Sequence, residues 1–445
     1  EFEALVERIH DNGLRAIIDF VPNHVARCYR SVSKPPGVGD LGDNDDQTVH
    51  FSADNNFYYF PSERFAPQFT LTDYYEYPAK ATGNDCFSPS PSRNDWYDTV
   101  KLNYGVDYGD GSEHFDPTPD TWLKMRDILL FWASKGVDGF RCDMTELVPE
   151  AFWGWCLPQL KAESPRLLFI AEIYQPHRYT SYLAAGFDYL YDKVGVYDRL
   201  IAIGCGEAAP ADFTAVRDAV GALQPEMCYF MENHDEQRLA SELVFSSPRL
   251  GFLASTVSAL SGANPFLLYF GQELGEQGMD EEGFSGRDGR TSIFDYWSLD
   301  KLQRLEGGAY TGEGLTPEEQ RLLSDYRTLG ALSSEAEIAT GGYYGLPSTG
   351  VDKASVIAFV RYSSEKLYLI LANFSEHPAE ALLPLSEDFF QAIPWSQGTA
   401  FGAVDKLTGE VDYLALTPWA PLSFTLEGHG LRLLELTPLP EALFR

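Results

Sequence analysis

The chain has 445 residues and a formal net charge of −33, because 66 acidic residues outnumber 33 basic ones. Such an acidic balance argues against a nucleic-acid-binding protein and against adhesion to anionic lipids. A content of 44% hydrophobic and 14% aromatic residues is typical of a folded globular protein. The sequence contains no run of about 18 apolar residues and therefore predicts no membrane span.

Buried strand-like runs alternate with amphipathic helices from the start of the chain, which is the pattern of a parallel α/β sheet. The chain opens in a helix that ends at Asn12-Gly13, and the first strand is predicted at 16–21. The following stretch, about 26–120, is irregular and rich in Asp, Asn, Pro, Ser and Tyr. Because it is too long for a plain loop, we predict an inserted subdomain there.

Regular alternation resumes after residue 120. Helices are predicted at 121–135, 149–163, 210–223, 248–260 and 317–329. Strands are predicted at 137–143, 167–172, 227–233 and 265–270, and a weaker helix and strand share 175–191. With the strand at 16–21 these make six βα units, which predict a barrel. Beyond about residue 335 the apolar period becomes two, which predicts an antiparallel β-sandwich.

Polar and charged residues stand at the carboxyl ends of several predicted strands. In a parallel βα barrel these ends meet on one face, where the active sites of such barrels lie. The candidate residues at these positions are Asp19, Asn23, His24, Arg141, Asp143, Glu172, Asn233, His234 and Asp235. Carboxylates, histidines and an arginine would then share one pocket.

Such a pocket suits the cleavage of a glycosidic bond. Two carboxyl groups about 5–5.5 Å apart can act as nucleophile and acid in a retaining glycosidase. Arg141 lies two residues before Asp143, on the same side of the strand, and is expected to lower the pKa of that nucleophile. The apolar run before Glu172 favours the protonated form that a general acid requires. Asp235 is expected to stabilise positive charge on the sugar ring.

In this order the segments resemble the sequence regions of the α-amylase family, glycoside hydrolase family 13. The matching segments are 19–24 (DFVPNH), 139–143 (GFRCD), Glu172, 230–235 (FMENHD) and 269–273 (YFGQE). The resemblance implies that Asp143 is the nucleophile, Glu172 the general acid and base, and Asp235 the stabiliser of the transition state. It implies substrate contacts from Arg141, His24, His234, Glu146 and Asn233, and structural support from Asp19 and Asn23.

The resemblance also implies an α/β fold: a (β/α)8 TIM barrel, a subdomain inserted after its third strand, and a C-terminal antiparallel β-sandwich. We assign 1–25 and 121–335 to the barrel, 26–120 to the subdomain and 336–445 to the sandwich. The strand bearing Asp19 matches the third barrel strand, so the six predicted strands match the third to the eighth. We therefore expect the first two βα units to be missing, which would make this chain a fragment of a longer enzyme.

Members of the resembled family often hold a calcium ion between barrel and subdomain. The matching ligand positions here are Asn23, the backbone carbonyl of Leu147 and, where an aspartate is usual, Lys101. A lysine ammonium at this position would replace one cation by another. We therefore expect no cofactor and no calcium ion at this site.

The resemblance predicts a retaining hydrolase of α-1,4-glucans such as starch or maltodextrin, whose partner is an oligosaccharide or polysaccharide. Two alternatives stay open. The first is an α-glucan transglycosylase or branching-type enzyme of the same family, which differs in the acceptor. The second is a non-catalytic relative that binds α-glucans; such relatives typically lack a carboxylate, whereas Asp143, Glu172 and Asp235 are all present.

Overall fold

The computed structural model describes residues 1–32, 34–281, 283, 286–294, 296–349 and 355–440. The chain divides into two units, Glu1–Tyr191 and Asp192–Arg445. Within the described ranges, no helix is both long enough and apolar enough to cross a membrane.

The first unit contains a parallel sheet whose strands alternate with helices. Its helices are α1 (Phe2–Asp11), α2 (Asp120–Ser134), α3 (Glu150–Glu163) and α4 (Tyr179–Ala185). Its strands are β1 (Ile17–Phe20), β2 (His24–Ala26), β3 (Tyr59–Phe60), β4 (Ala79–Lys80), β5 (Thr99–Lys101), β6 (Val106–Asp107), β7 (Ser112–Glu113), β8 (Gly139–Cys142), β9 (Leu168–Ala171) and β10 (Tyr189–Tyr191). Strands β1, β8, β9 and β10 pair in that order and run parallel. A helix precedes each of the last three, as the βα repeat requires.

Close packing in this sheet depends on the residues of β8. All four of its side-chain positions are buried, as expected for a strand covered on both faces. A Cβ atom at Gly139 would lie 2.4 Å from the carbonyl oxygen of Leu168 on β9. Only glycine permits that approach, so Gly139 lets the two strands pair closely.

The segment between β1 and α2 contains short antiparallel strand pairs, β2 with β5, β3 with β4 and β6 with β7. Its buried side chains include the aromatic residues Phe57, Tyr58 and Tyr104, each at most 5% exposed. The irregular composition of 26–120 therefore encodes a packed segment with little regular structure. Its status as a separate subdomain stays a prediction, as do the other predicted domain boundaries.

The second unit begins with a short π-helix at Lys193–Tyr197. Its α-helices are α5 (Asp198–Gly204), α6 (Phe213–Asp218), α7 (Pro248–Ser261), α8 (Asp300–Gly307), α9 (Pro317–Ser333), α10 (Ala336–Ala339) and α11 (Glu387–Ala392). Its strands are β11 (Met227–Phe230), β12 (Phe266–Leu267), β13 (Gly342–Leu346), β14 (Val356–Tyr362), β15 (Leu367–Asn373), β16 (Ala379–Leu383), β17 (Ala400–Asp405), β18 (Val411–Ala415), β19 (Leu422–Leu426) and β20 (Leu431–Pro438). Strands β11 and β12 are parallel partners.

Helix α6 is much shorter than the helix predicted at 210–223. Short 3-10 turns at Pro210–Asp212 and Gly221–Glu226 flank it on either side. Gly221 has a positive φ of 56°, a conformation that ends a right-handed helix and that glycine adopts readily. The predicted helix was therefore too long. One helix-like apolar pattern runs through three separate elements: the first 3-10 turn, α6 and the second 3-10 turn.

The last part of the second unit is antiparallel. Its larger sheet has the order β13-β14-β15-β20-β17-β18, and β16 pairs with β19. Side chains of both sheets enter one apolar cluster, which includes Leu369 on β15, Ala381 on β16 and Leu436 on β20. The period of two beyond residue 335 therefore predicted the strand type correctly.

Candidate active site

Three neighbouring strands of the first unit carry the predicted acids at aligned ends. Asp19 on β1 stands opposite Arg141 on β8, and Cys142 stands opposite Ala171 on β9. The ladder continues one step further on both sides, because the Asp143 N–H donates to the Phe20 carbonyl and the Glu172 N–H to the Cys142 carbonyl. Parallel pairing in this register places the Asp143 and Glu172 side chains side by side at the carboxyl edge of the sheet.

The Arg141 guanidinium contacts three carboxylates at this edge. Its Nη1 lies 3.0 Å from Asp19 Oδ1 and 2.8 Å from Asp143 Oδ1, and its Nη2 lies 3.0 Å from Glu172 Oε2. The Tyr191 ring lies beneath the same cation, with 5.5 Å from its centroid to the guanidinium carbon. The Arg141 side chain is only 9% exposed, so these contacts are poorly screened by water.

Glu172 is held by two further donors. Its side chain is almost completely buried, and the Met144 N–H donates to Oε2 at 2.6 Å. The Tyr174 hydroxyl donates to Oε1 at 2.5 Å. Met144 adopts a left-handed conformation with φ 44° and ψ 43°, which is uncommon for a residue other than glycine. This backbone conformation turns the Met144 N–H towards Glu172.

The pKa of Asp143 is raised overall, whereas the sequence predicted only the lowering effect of Arg141. Burial and the negative charge of Glu172 raise this pKa to about 7, although Arg141 opposes both. We expected Arg141 to lower it. The cation is present at the expected place, but three carboxylates share it and burial outweighs its effect.

Glu146 connects the turn after Asp143 to the loop after β9. The turn is a short 3-10 helix at Thr145–Leu147. The Glu146 carboxylate accepts hydrogen bonds from the backbone N–H groups of Tyr174 at 3.1 Å and of Gln175 at 3.0 Å. Glu146 thereby fixes the loop that carries Tyr174, and its contact with substrate stays a prediction.

His24 and Asn23 follow β1 in the same unit. The His24 ring lies 5.2 Å from the Trp96 ring between centroids, and burial, helped by the charge of Lys101, lowers the pKa of His24. Asn23 is fully buried and donates from Nδ2 to the Gly83 carbonyl at 2.7 Å, and its supporting role stays a prediction.

The remaining candidates lie in the second unit, directly after β11. Asn233 is 3% exposed, and its Oδ1 accepts the N–H groups of Asp235 at 2.9 Å and Glu236 at 2.8 Å. The oxygen of Asn233 thus shapes the turn that presents Asp235. His234 Nε2 lies 3.2 Å from Asp235 Oδ2, and the Asp235 side chain is 38% exposed. Substrate contacts from Asn233 and His234 stay predictions.

Parts of the chain are similar to known proteins. A family model described as alpha amylase, catalytic domain, matches residues 1–167. The α-amylase MalA of Haloarcula japonica is 25% identical over 425 residues, covering 94% of this chain and 51% of that protein. The crystal structure of α-amylase from H. orenii has a TM-score of 0.64 at 19% identity, covering 98% of this chain and 83% of that chain. Over these ranges the chain is similar to the α-amylase family.

Its α-amylase-type fold includes the parallel sheet expected from a TIM barrel. The chain spans about half the length of the Haloarcula relative. A shorter match, 38% identical over 56 residues, joins 13% of this chain to 9% of an α-1,4-glucan:maltose-1-phosphate maltosyltransferase of Cereibacter sphaeroides.

The calcium position of the α-amylase family has an unsuitable donor set in this chain. Calcium takes six to eight oxygen ligands, whereas the Lys101 ammonium stands among the Asn23, Leu147 and Asp85 oxygens. An ammonium supplies hydrogen-bond donors only and repels a second cation. In the parts of the chain that the structure describes, no group of three or more His, Cys, Asp or Glu side chains could hold a metal ion. The residues at this position do not fit calcium.

Sequence reasoning missed a buried ion pair that supports the turn carrying Asp235. Arg238 Nη1 lies 2.8 Å from Glu232 Oε2, and Glu232 Oε1 accepts the Leu239 N–H at 2.8 Å. Arg238 also donates to the Phe270 carbonyl at 2.9 Å, which connects this turn to the segment after β12. One signal was available, because a glutamate next to a buried strand needs a charged partner.

Proposed function

We propose that this chain carries the catalytic machinery of a retaining glycoside hydrolase that acts on α-1,4-glucans such as starch or maltodextrin. The observation that supports this most strongly is the pair of carboxyl groups, Asp143 and Glu172, on one guanidinium. A shared cation keeps the two groups near each other, as a double displacement requires. The Haloarcula relative is named an α-amylase, which supports the substrate class.

In the proposed reaction, Glu172 donates its proton to the glycosidic oxygen while Asp143 attacks the anomeric carbon. The bond to the leaving sugar breaks and a covalent glycosyl-enzyme forms. Glu172, now ionised, then removes a proton from water, which attacks the same carbon and releases Asp143. The donors Met144 N–H and Tyr174 O–H hold Glu172 in place through both steps.

We assign the third carboxylate role to Asp235. Its charge would stabilise the oxocarbenium-like state and its oxygens would bind ring hydroxyls. Arg141, His24, His234, Glu146 and Asn233 are the proposed residues around the sugar, and Asp19 and Asn23 support them. In this proposal the chain supplies strands three to eight of the barrel, the inserted subdomain at 26–120 and the sandwich at 336–445.

Transfer to a sugar acceptor is the second candidate function. It is favoured by the short match to the maltosyltransferase of Cereibacter sphaeroides. The first chemical step is identical, and the outcome depends on whether water or a sugar hydroxyl reaches the glycosyl-enzyme. The two functions differ in their products.

The decisive experiment follows maltoheptaose by proton NMR and chromatography. Hydrolysis gives shorter maltooligosaccharides whose new reducing ends appear first as the α-anomer, and transfer gives longer or branched products. Asp143→Asn is expected to abolish turnover and to retain maltooligosaccharide binding in calorimetry. Asp138→Asn, at the opposite end of β8, is the matched control because its carboxylate contacts His10 and the Ala16 N–H. Binding without turnover in the wild type would contradict both enzymatic functions and support a binding protein.

A further inference from the structure

Lys101 is a buried lysine at the end of β5 in the first unit. Only 1% of its side chain is exposed, and the residue pairs with His24 across β2 and β5. Its Nζ lies 2.5 Å from Asn23 Oδ1, 2.6 Å from Asp85 Oδ1 and 2.9 Å from the Leu147 carbonyl oxygen. An ammonium has three N–H donors, so each donor has one oxygen.

The three oxygens come from separate parts of the first unit. Asn23 lies between β1 and β2, Asp85 lies in the segment between β4 and β5, and Leu147 ends the turn that follows Asp143. A single side chain therefore connects the segment between β1 and α2 to the ends of β1 and β8.

The charges at this joint balance. Asp85 supplies one negative charge, while Asn23 and Leu147 supply neutral oxygens, so the ammonium is neutralised by one carboxylate. Burial lowers the pKa of Lys101 and the charge of Asp85 opposes that effect. A divalent ion added here would meet a positive charge and too few oxygens.

We propose that the Lys101 ammonium serves as an internal cation at the joint where the α-amylase family often holds calcium, so that this joint is held without a metal ion. The lysine supplies the positive charge and the three directed contacts from within the chain. The joint is then always complete, whatever the calcium concentration around the protein.

Thermal unfolding tests this proposal, and it reports on the joint whether or not the chain turns over a glucan. Wild-type protein is dialysed against EDTA and its Tm is followed as CaCl2 is added, with MgCl2 as the ionic-strength control. We expect the Tm to change by less than about 1 °C beyond the MgCl2 control. Lys101→Asp supplies an oxygen ligand beside those of Asn23, Asp85 and Leu147. Its Tm should be low in EDTA and rise by about 5 °C or more with CaCl2.

Two controls separate this joint from general binding of calcium to an acidic protein. Lys101→Met removes the ammonium without adding a ligand, so its Tm should fall and stay unresponsive to calcium. Lys135→Asp makes the same change of charge beside Glu3, on the surface, and should not gain a calcium response.

A calcium-dependent rise of about 5 °C or more in the wild type would overturn the proposal, as would a Lys101→Met Tm equal to that of the wild type. Absence of a calcium response in folded Lys101→Asp would also count against the proposed exchange of cations. Should Lys101→Asp fail to fold, the wild-type titration decides by itself, since it needs no variant.

Discussion

Two arginine–carboxylate groups, one in each unit, use the same residue types with different charge balance. In the first unit Arg141 faces Asp19, Asp143 and Glu172. In the second unit Arg238 forms its ion pair with Glu232, and their side chains are 0% and 3% exposed. The first group thus has an excess of negative charge, and the second is neutral.

The difference separates a reactive site from a supporting one. A buried pair with matched charges and complete hydrogen bonds holds a turn in one conformation. Burial together with an excess of carboxylates instead raises the pKa of one of them, as at Asp143, and such perturbed groups are typical of catalytic sites. The first group should therefore govern turnover and the second stability.

The largest expected effect on stability comes from breaking the balanced pair. Arg238→Met leaves Glu232 buried without its cation, and the free energy of unfolding should fall by about 3–5 kcal/mol in urea unfolding followed by circular dichroism. Arg304→Met breaks a more exposed pair with Glu319 and is the control, expected to cost less than about 1 kcal/mol. Equal losses in the two variants would contradict the distinction.

A pH series sharpens the comparison at the unbalanced group. The pKa of Asp143 rises from an ordinary 3.8 to about 7 on folding, so the folded state binds its proton more tightly than the unfolded state does. The stabilisation that the folded state gains by binding this proton is fully present below about pH 4 and is lost as the pH rises to about 7. The Tm of Asp143→Asn minus that of the wild type should therefore increase from pH 4 to pH 7 and level off above. Asp138→Asn is the control, because the pKa of Asp138 is lowered and its Tm difference should show no such increase. A constant difference for Asp143→Asn would show that the group is ionised throughout.

Local patterns predicted where the site residues stand along the chain. The apolar runs before Asp143 and Glu172 end where polar residues begin, and both side chains follow directly after β8 and β9. Helix α9 begins as predicted at Thr316-Pro317, because its capping box with Glu319 is encoded within four residues. Patterns of this kind depend only on residues that are neighbours in the sequence, so they can be predicted from the sequence alone.

Long-range contacts could not be predicted from such patterns. Whether Arg141 or burial controls the pKa of Asp143 depends on how many carboxylates reach one guanidinium after folding. The contact between Tyr174 and Glu172 depends on the loop that Glu146 holds, and no spacing rule encodes it. The predicted strands were also one to three residues too long at several ends. Polar residues such as Asp143 and Glu172, which directly follow the apolar runs, were included in the prediction but lie outside the regular strands.

The smallest expected effect concerns the hydroxyl that holds Glu172. Tyr174→Phe removes the donor to Oε1 and keeps the ring, so the fold and the Arg141 contacts should persist. A hydrogen bond to a charged group contributes about 1.5–3 kcal/mol, so kcat on maltoheptaose should fall at least about tenfold while KM changes little. Tyr344→Phe removes a comparable hydroxyl that contacts Ser386 in the second unit and should leave kcat unchanged. If Tyr174→Phe instead lowered the Tm and left kcat intact, the Tyr174 hydroxyl would stabilise the fold, as Arg238 does, and would have no part in turnover. The Arg141 group would then contain a contact that serves stability alone, contrary to the distinction drawn above.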